Sequence, residues 1–350
     1  MVYKINPFQQ LLWRTPDTLQ IGAGGNRQIL ERLNEGQERL VDALYYGVSP
    51  ASLPAIAKQV GLTEIEANAL IQRLGPLLIS AAAPGEDASG DSNGVALAES
   101  IRASLDNRKM AASVINARRK IAVHLDSLDP SGLTLMLTLA AAGIGTITTK
   151  DFSKVTNEDA ASNVYPRALV GHSRHAAARL ILESSWPGCR LLHTKRSNDR
   201  KTARVDLAIL VNHQVTAPVE AGLWRTMEVP VLEIRYQPDG AEVTPVLDGR
   251  HGCLVCRDHF KQDADDAHIA MSSQLVTSDL KFDDGGTRLV ATGLAVHQAL
   301  DYFDNPDGAE RNLGFRYWRE GSGRVEGTVW QAHPSCGCRV DPMQILNEAV

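Results

Sequence analysis

Apolar and polar residues recur with two different periods along this chain, and the period changes where the organisation of the chain changes. Near the N-terminus, Thr18-Leu19-Gln20-Ile21-Gly22 reads as a short strand, Gly24-Gly25-Asn26 as a hairpin turn, and Gln28 to Leu30 as the returning strand. Helical spacing follows. Leu40, Val41 and Leu44 share one face of a helix over residues 38–45, and helices over 53–60 and 63–74 lie on either side of Gly61. Thr63 caps the last of these, and Glu66 stands at the capping-box position. Strands attached to a helix, glycine turn and helix form a winged-helix pattern. Residues 81–94 are small, acidic and turn-forming, with almost nothing strongly apolar, so they read as a linker. The expected organisation is a first domain over residues 1–80, a flexible linker over 81–94 and a second domain over 95–350.

Beyond the linker, residues 95–117 are expected to form one long amphipathic helix. It ends in Arg118-Arg119-Lys120, cations that suit a helix C-terminus. Strands and helices then alternate: strand 121–125, helix 132–142, strand 145–149, helix 173–183, strands 190–193 and 205–211, helix 218–227 and strand 231–235. Repeated strand–helix units predict an α/β fold, a Rossmann-like, doubly wound and mainly parallel sheet with helices on both faces. Ligands of such sheets bind outside the carboxyl ends of the strands, here near Leu125, Lys150-Asp151 and Val211-Asn212.

Composition narrows the choice of partner. The 350 residues are 43% hydrophobic with a formal net charge of −5, which offers no general attraction to nucleic acid or anionic lipid. The winged-helix pattern suggests DNA binding by habit, yet residues 1–80 carry seven Lys/Arg and seven Asp/Glu. The helix that would enter a groove opens with Glu64 and Glu66, which phosphate repels. Such folds also take a peptide as an added strand, a mode that needs apolar pockets and a free strand edge and no positive charge. The first residues lack the apolar run of a signal peptide, and no apolar stretch is long enough to span a bilayer. A cytoplasmic protein with no membrane partner is expected.

Four of the five cysteines fall in two tight clusters, Cys253-Leu254-Val255-Cys256 and Cys336-Gly337-Cys338. A redox pair would need no second cluster, and stable disulfides do not suit a chain without secretory marks. Two converging pairs of thiolates suit a tetrahedral zinc site, closed to water and therefore structural. His259 and His333 flank the clusters as alternative ligands, although four cysteines suffice. Cys189 has no catalytic context and reads as a plain buried thiol. The basic stretch Lys195, Arg196, Arg200, Lys201 and Arg204 reads as solvated surface.

The first strand-to-helix turn is where a nucleotide-binding sheet places its glycines, because backbone must approach the phosphates. Here it reads His124-Leu125-Asp126-Ser127-Leu128-Asp129-Pro130-Ser131-Gly132, with a single glycine and two aspartates that repel polyphosphate. ATP is not expected at this turn.

The segments AAAGIGTITTKDFSKV, LVGHSRHAAARLIL, VDLAILV, VPVLEI and GCLVCRDH, with a final HPSCGC, follow the order of the ThiF/MoeB/HesA group. These are adenylyltransferases related to ubiquitin-activating enzymes. Nearly the whole chain resembles them, and most of all the ThiF-like partner proteins of thiazole/oxazole-modified microcin cyclodehydratases, which carry an N-terminal winged-helix element for leader peptides. The resemblance implies that Cys253, Cys256, Cys336 and Cys338 are zinc ligands. It also implies that Asp151 stands where active members hold the nucleotide ribose, and that Arg174 replaces a lysine near the phosphates. Asn163 matches an asparagine of their NLNRQ stretch, but Pro166 then takes the arginine position, with Arg167 one place late. The aspartate that assists adenylation falls at Asn212 or His213.

The chain is therefore expected to be a zinc-stapled, ThiF-like pseudoenzyme without catalytic residues. It would bind a precursor (leader) peptide and scaffold a cyclodehydratase-type or other modifying enzyme, as in bacteriocin and azoline peptide biosynthesis. Leu19, Ile21 and Leu70 are its expected peptide-binding positions, along an edge strand and a helix groove. Asp151 and Arg174 are a vestigial nucleotide site. Relatives of this kind commonly pair as homodimers. The rival readings are an active ATP-dependent adenylyltransferase and a zinc-containing winged-helix regulator that binds DNA.

Overall fold

A computed structural model describes residues 2–23, 27–81, 97–107, 109–194, 204–216, 218–305, 312–321 and 323–339. The hairpin tip 24–26, the linker beyond residue 81, and Lys195, Arg196, Arg200 and Lys201 of the basic stretch lie outside the described residues. The backbone divides into two compact units, Met1–Ala117 and Arg118–Val350.

In the first unit, β1 (Val2–Ile5), β2 (Leu11–Thr15), β3 (Thr18–Ile21) and β4 (Gln28–Leu30) precede three helices, α1 (Glu35–Tyr46), α2 (Leu53–Gln59) and α3 (Glu64–Leu74). Strand β5 (Leu78–Ala81) returns to pair antiparallel with β1. The caps form where the sequence places them. Thr63 Oγ1 accepts from the Glu66 amide at 3.3 Å, and Glu66 Oε2 accepts from the Thr63 amide at 2.9 Å. Ile5, Leu19, Ile21, Leu30, Leu40, Leu44 and Leu74 form the core.

Two expectations are corrected here. Thr18–Ile21 is not an edge: it is the middle strand of the order β2-β3-β4, paired on both sides, so among the described residues the free edges of this sheet belong to β2 and β4. Residues 95–117 are not one helix but two, α4 (Leu97–Asn107) and α5 (Ala111–Arg118). Ser104 turns the chain between them. Its hydroxyl donates to Lys109 O at 2.8 Å, and its carbonyl accepts from Asn6 Nδ2 at 3.1 Å.

The second unit is a mixed α/β fold. Strands β6 (Ala122–Leu125), β7 (Thr146–Thr149), β8 (Arg190–His193), β9 (Leu207–His213) and β10 (Val231–Gln237) run parallel in the order β8-β7-β6-β9-β10. Three antiparallel strands extend the sheet beyond β10: β11 (Gly240–Val243), β12 (Leu313–Trp318) and β13 (Arg324–Val329). The sequence patterns do not single out this edge.

The helices are α6 (Pro130–Ala141), α7 (Asn157–Ala161), α8 (Arg174–Ser185), α9 (Pro218–Thr226), α10 (Leu254–Ala264), α11 (His268–Leu275) and α12 (Gly285–Asp304). They cover both faces. Leu207, Ile209 and Val211 of β9 share a core with Leu133 and Met136 of α6, Leu182 of α8 and Ala295 of α12. The alternate residues Ala208 and Leu210 meet Trp224 of α9 and Leu254 of α10 on the other side. Chain order reverses between β6 and β9, so the crevice outside their carboxyl ends is the switch point of the sheet. Among the described residues, no helix is long and apolar enough to cross a membrane.

Candidate functional site

The loop that leaves β6 at the switch point is held by the chain's own side chains. Leaving β6, Asp126 turns the backbone: its Oδ1 accepts from the amides of Ser127 at 2.9 Å and Val211 at 3.2 Å. Leu128 is fully buried; its amide donates to Asp151 Oδ2 at 2.8 Å and its carbonyl accepts from Tyr165 Oη at 2.6 Å. Asp129 then caps α6, with Oδ1 accepting from the Gly132 amide at 2.9 Å. The loop lies so close to the helix that a Cβ on Gly132 would stand 1.9 Å from Ser127 O. The single glycine of this turn therefore admits the chain's own carbonyl.

Asp151 follows β7, and its carboxylate is fully engaged. Oδ1 accepts from the Ser153 amide at 2.8 Å, while Oδ2 accepts from Leu128 and lies 3.4 Å from Arg174 Nη1. Arg174, in the first turn of α8, spends its fork on Asp159: Nε meets Oδ2 at 3.0 Å and Nη2 meets Oδ1 at 2.8 Å. Burial works against the charge of Asp151, but the two amides and Arg174 outweigh it and hold the carboxyl below its ordinary range. Burial works against the Arg174 charge too, and the Asp159 contact outweighs it.

The two vestigial-site candidates, Asp151 and Arg174, are thus brought together and turned inward. Asn212 Nδ2 donates to Glu233 Oε1 at 2.8 Å, and His213 Nδ1 accepts from the Phe282 amide at 3.1 Å. Asn163 is exposed with φ of 61°, and Arg167 is exposed as well. At the start of α6, Asp129 is joined by Asp283, whose Oδ2 accepts from Ser131 Oγ at 2.8 Å and lies 3.8 Å from Arg288 Nη1. Sequence reasoning missed Asp159, Tyr165 and Asp283. Asp159 carried a signal, the Thr156-x-x-Asp159 capping spacing, but its second partner comes from a helix fifteen residues on.

The second site is the cysteine cluster. Cys253 stands at the N-cap of α10, which places Cys256 one turn on and facing the same point. Its sulfur lies 3.8 Å from that of Cys256 and 3.7 Å from that of Cys336; Cys256 and Cys338 are 3.3 Å apart. All four sulfurs fall within 4.8 Å of one another. A tetrahedron of thiolates around zinc, with Zn–S of about 2.3 Å, has S–S edges of about 3.8 Å. The four cysteines are therefore placed where they could hold a metal ion.

His333 stays outside that set. Its Nδ1 accepts from the Ser335 amide at 3.1 Å and its Nε2 lies 2.8 Å from Asp263 Oδ2, so it shapes the loop that presents Cys336. His259 stacks on it. Cys189 is buried, which pushes its thiol up to about 11. Arg204 is exposed and lies 3.7 Å from Asp206. In the first unit, Leu19, Ile21 and Leu70 are 2%, 0% and 3% exposed and belong to the core.

Arg174→Met should expose how much the loop depends on this brace. Leaving Asp159 and Asp151 buried without their cation should cost about 3–5 kcal/mol at neutral pH, read by urea unfolding. The folded pKa of Asp151 lies below its unfolded value, so its contribution is complete above about pH 4 and fades as pH falls through the folded pKa. The difference between wild type and variant should shrink correspondingly in acid. A pH-independent difference, or none, would contradict the brace.

No family model and no curated protein matches the sequence. Solved structures do. The chain is similar to E. coli MccB, with a TM-score of 0.73 and 18% identity over 98% of each chain. It is similar to E. coli MccB with ATP, at 0.69 and 17%, covering 97% of this chain and 99% of that one. It is also similar to microcin C7 biosynthetic enzyme MccB in complex with N-formylated MccA, at 0.70 and 15% over the same shares. At these identities the likeness is one of fold: the chain has a ThiF/MoeB-like fold over nearly its whole length.

Proposed function

We propose that this protein is a peptide-binding scaffold on a ThiF-like frame, and that it presents a precursor peptide to a partner modifying enzyme without adenylating it. The observation that carries this reading is the closed switch point. MccB, whose fold the chain resembles, has been solved with ATP and with MccA. Here the loop after β6 is tied to Asp151 through the buried Leu128, and its Asp129 side chain takes the Gly132 amide at the start of α6, a donor that a phosphate would otherwise use.

In this reading the first unit is a winged-helix domain that recognises the leader peptide by strand addition. Leu19, Ile21 and Leu70 hold its strands and helix in place from beneath. The receiving edge is β2, where Leu12 and Trp13 are 41% and 49% exposed beside unpaired backbone. Trp and Leu side chains at a free edge supply the apolar anchors that main-chain pairing alone lacks. The metal is zinc, held by Cys253, Cys256, Cys336 and Cys338. With four thiolates it has no open position, so it joins the C-terminal loop to α10 and takes no part in catalysis.

Two measurements test this reading. Fluorescence anisotropy of the full chain against peptides encoded by short neighbouring reading frames should find a binder, and Trp13→Ala should weaken it at least tenfold, about 1.4 kcal/mol. Failure of every such peptide to bind the wild type would remove the reading's main support. Metal analysis should give one zinc per chain, lost together with the folded second unit in Cys253→Ser. A folded, metal-free wild type would refute the structural zinc.

A further inference from the structure

The face of the sheet that packs on α10 carries a cluster of buried charges remote in sequence from the switch-point loop. Three guanidinium groups there each have a carboxylate. Arg257 Nη1 lies 2.5 Å from Glu233 Oε2, Arg316 Nη2 lies 2.5 Å from Asp239 Oδ1, and Arg235 pairs with Glu242. Asp258 faces His268 of α11 at 3.7 Å and Arg257 Nε at 3.9 Å. The remaining cation is Lys261 of α10. It is half-buried, and among the described residues no carboxylate oxygen lies within 4 Å of its amine.

Lys261 also lines two cavities, one of about 440 Å³ and one of about 410 Å³. The larger has polar groups at the strand ends, Gln214, Thr216 and Arg235, and an apolar roof from Ile269, Met271 and Leu275 of α11. That helix has no buried residue, so its apolar side chains face the cavity or solvent and leave room for a guest.

We propose that Lys261 is a nucleophilic amine that condenses with a small apolar aldehyde entering this cavity. Arginines cannot shed their protons at neutral pH, so Lys261 is the cation of this cluster that can become neutral. Burial first, and then the neighbouring charges of Arg235 and Arg257, bring Lys261 down to about 8, with Glu242 and Asp258 acting in the opposite direction. The neutral amine adds to the carbonyl carbon. A C–N bond forms as the C=O π bond breaks, and the amine proton passes to the oxygen. The carbinolamine then loses water to leave C=N, with no oxidant or reductant required. Gln214 is the polar side chain placed to meet the carbinolamine hydroxyl, since the Thr216 hydroxyl is already bonded to Glu233 and Arg257.

The test is reductive trapping on the full chain. Benzaldehyde and sodium cyanoborohydride are added across about pH 6 to 10, and the benzyl adducts are mapped by mass spectrometry. A lysine amine in water is almost wholly protonated at about pH 7. At that pH, Lys261 should label roughly tenfold or more ahead of Lys58, Lys120 and Lys154, which are exposed. Its rate should level off above about pH 8, and Arg235→Gln should move that plateau to higher pH. The wild-type profile needs no variant to fold. Adducts distributed by exposure alone, or a Lys261 rate still climbing through about pH 10, would overturn the assignment.

Discussion

A carboxylate taken out of water must be met by donors, and Asp151 gathers them from three segments. The Leu128 amide brings in the loop after β6, the Ser153 amide fixes the strand's own exit, and Arg174 brings in α8 together with Asp159 of α7. The arrangement of the switch point results from meeting that one charge. Leu128 is drawn into the crevice, its carbonyl is taken by Tyr165, and the loop is pressed onto α6 so tightly that only glycine fits at position 132. Both Asp151 oxygens are turned inward, to the chain's own amides and Arg174.

The cysteine staple belongs to a different part of the frame. Cys253 and Cys256 open α10, the helix that lies over the second face of the sheet and carries Arg257 into the buried carboxylate of Glu233. Burial opposes the charge of Glu233, yet Arg257 and Arg235 outweigh it and hold the carboxyl at about 2. A metal at the thiols and an ion pair one residue further on would therefore fix the same helix from two directions. Helix α11, just beyond, has no buried residue and lines the larger cavity beside Lys261.

The parallel part of the fold was legible in sequence because strands buried on both faces read as short apolar runs, such as Leu207 to Val211, set between amphipathic helices. The cysteine cluster was legible because C-x-x-C and C-x-C bring their thiols close by local geometry. The antiparallel edge was not. Every residue of β13 is exposed, so its composition carries no burial signal. Helix α12 was hidden by Gly285 and Gly286 at its start and by a packing face of Ala291, Ala295 and Ala299, small residues that suit close approach and say little about period. The edge assigned to β3 failed for a related reason: alternation reveals a strand's faces and not which of its sides are paired. At the switch point the missing glycines were visible, but not what replaced them, since the Arg174–Asp159 pair joins separate segments.

The proposal that this sheet does not handle ATP has one direct test. It is ATP–pyrophosphate exchange measured on the full chain with its candidate acceptor peptides. The closed loop predicts a rate indistinguishable from protein-free background. Exchange above background that disappears in Asp151→Ala would contradict the account, because it would show that the loop opens and that the carboxylate still serves a nucleotide.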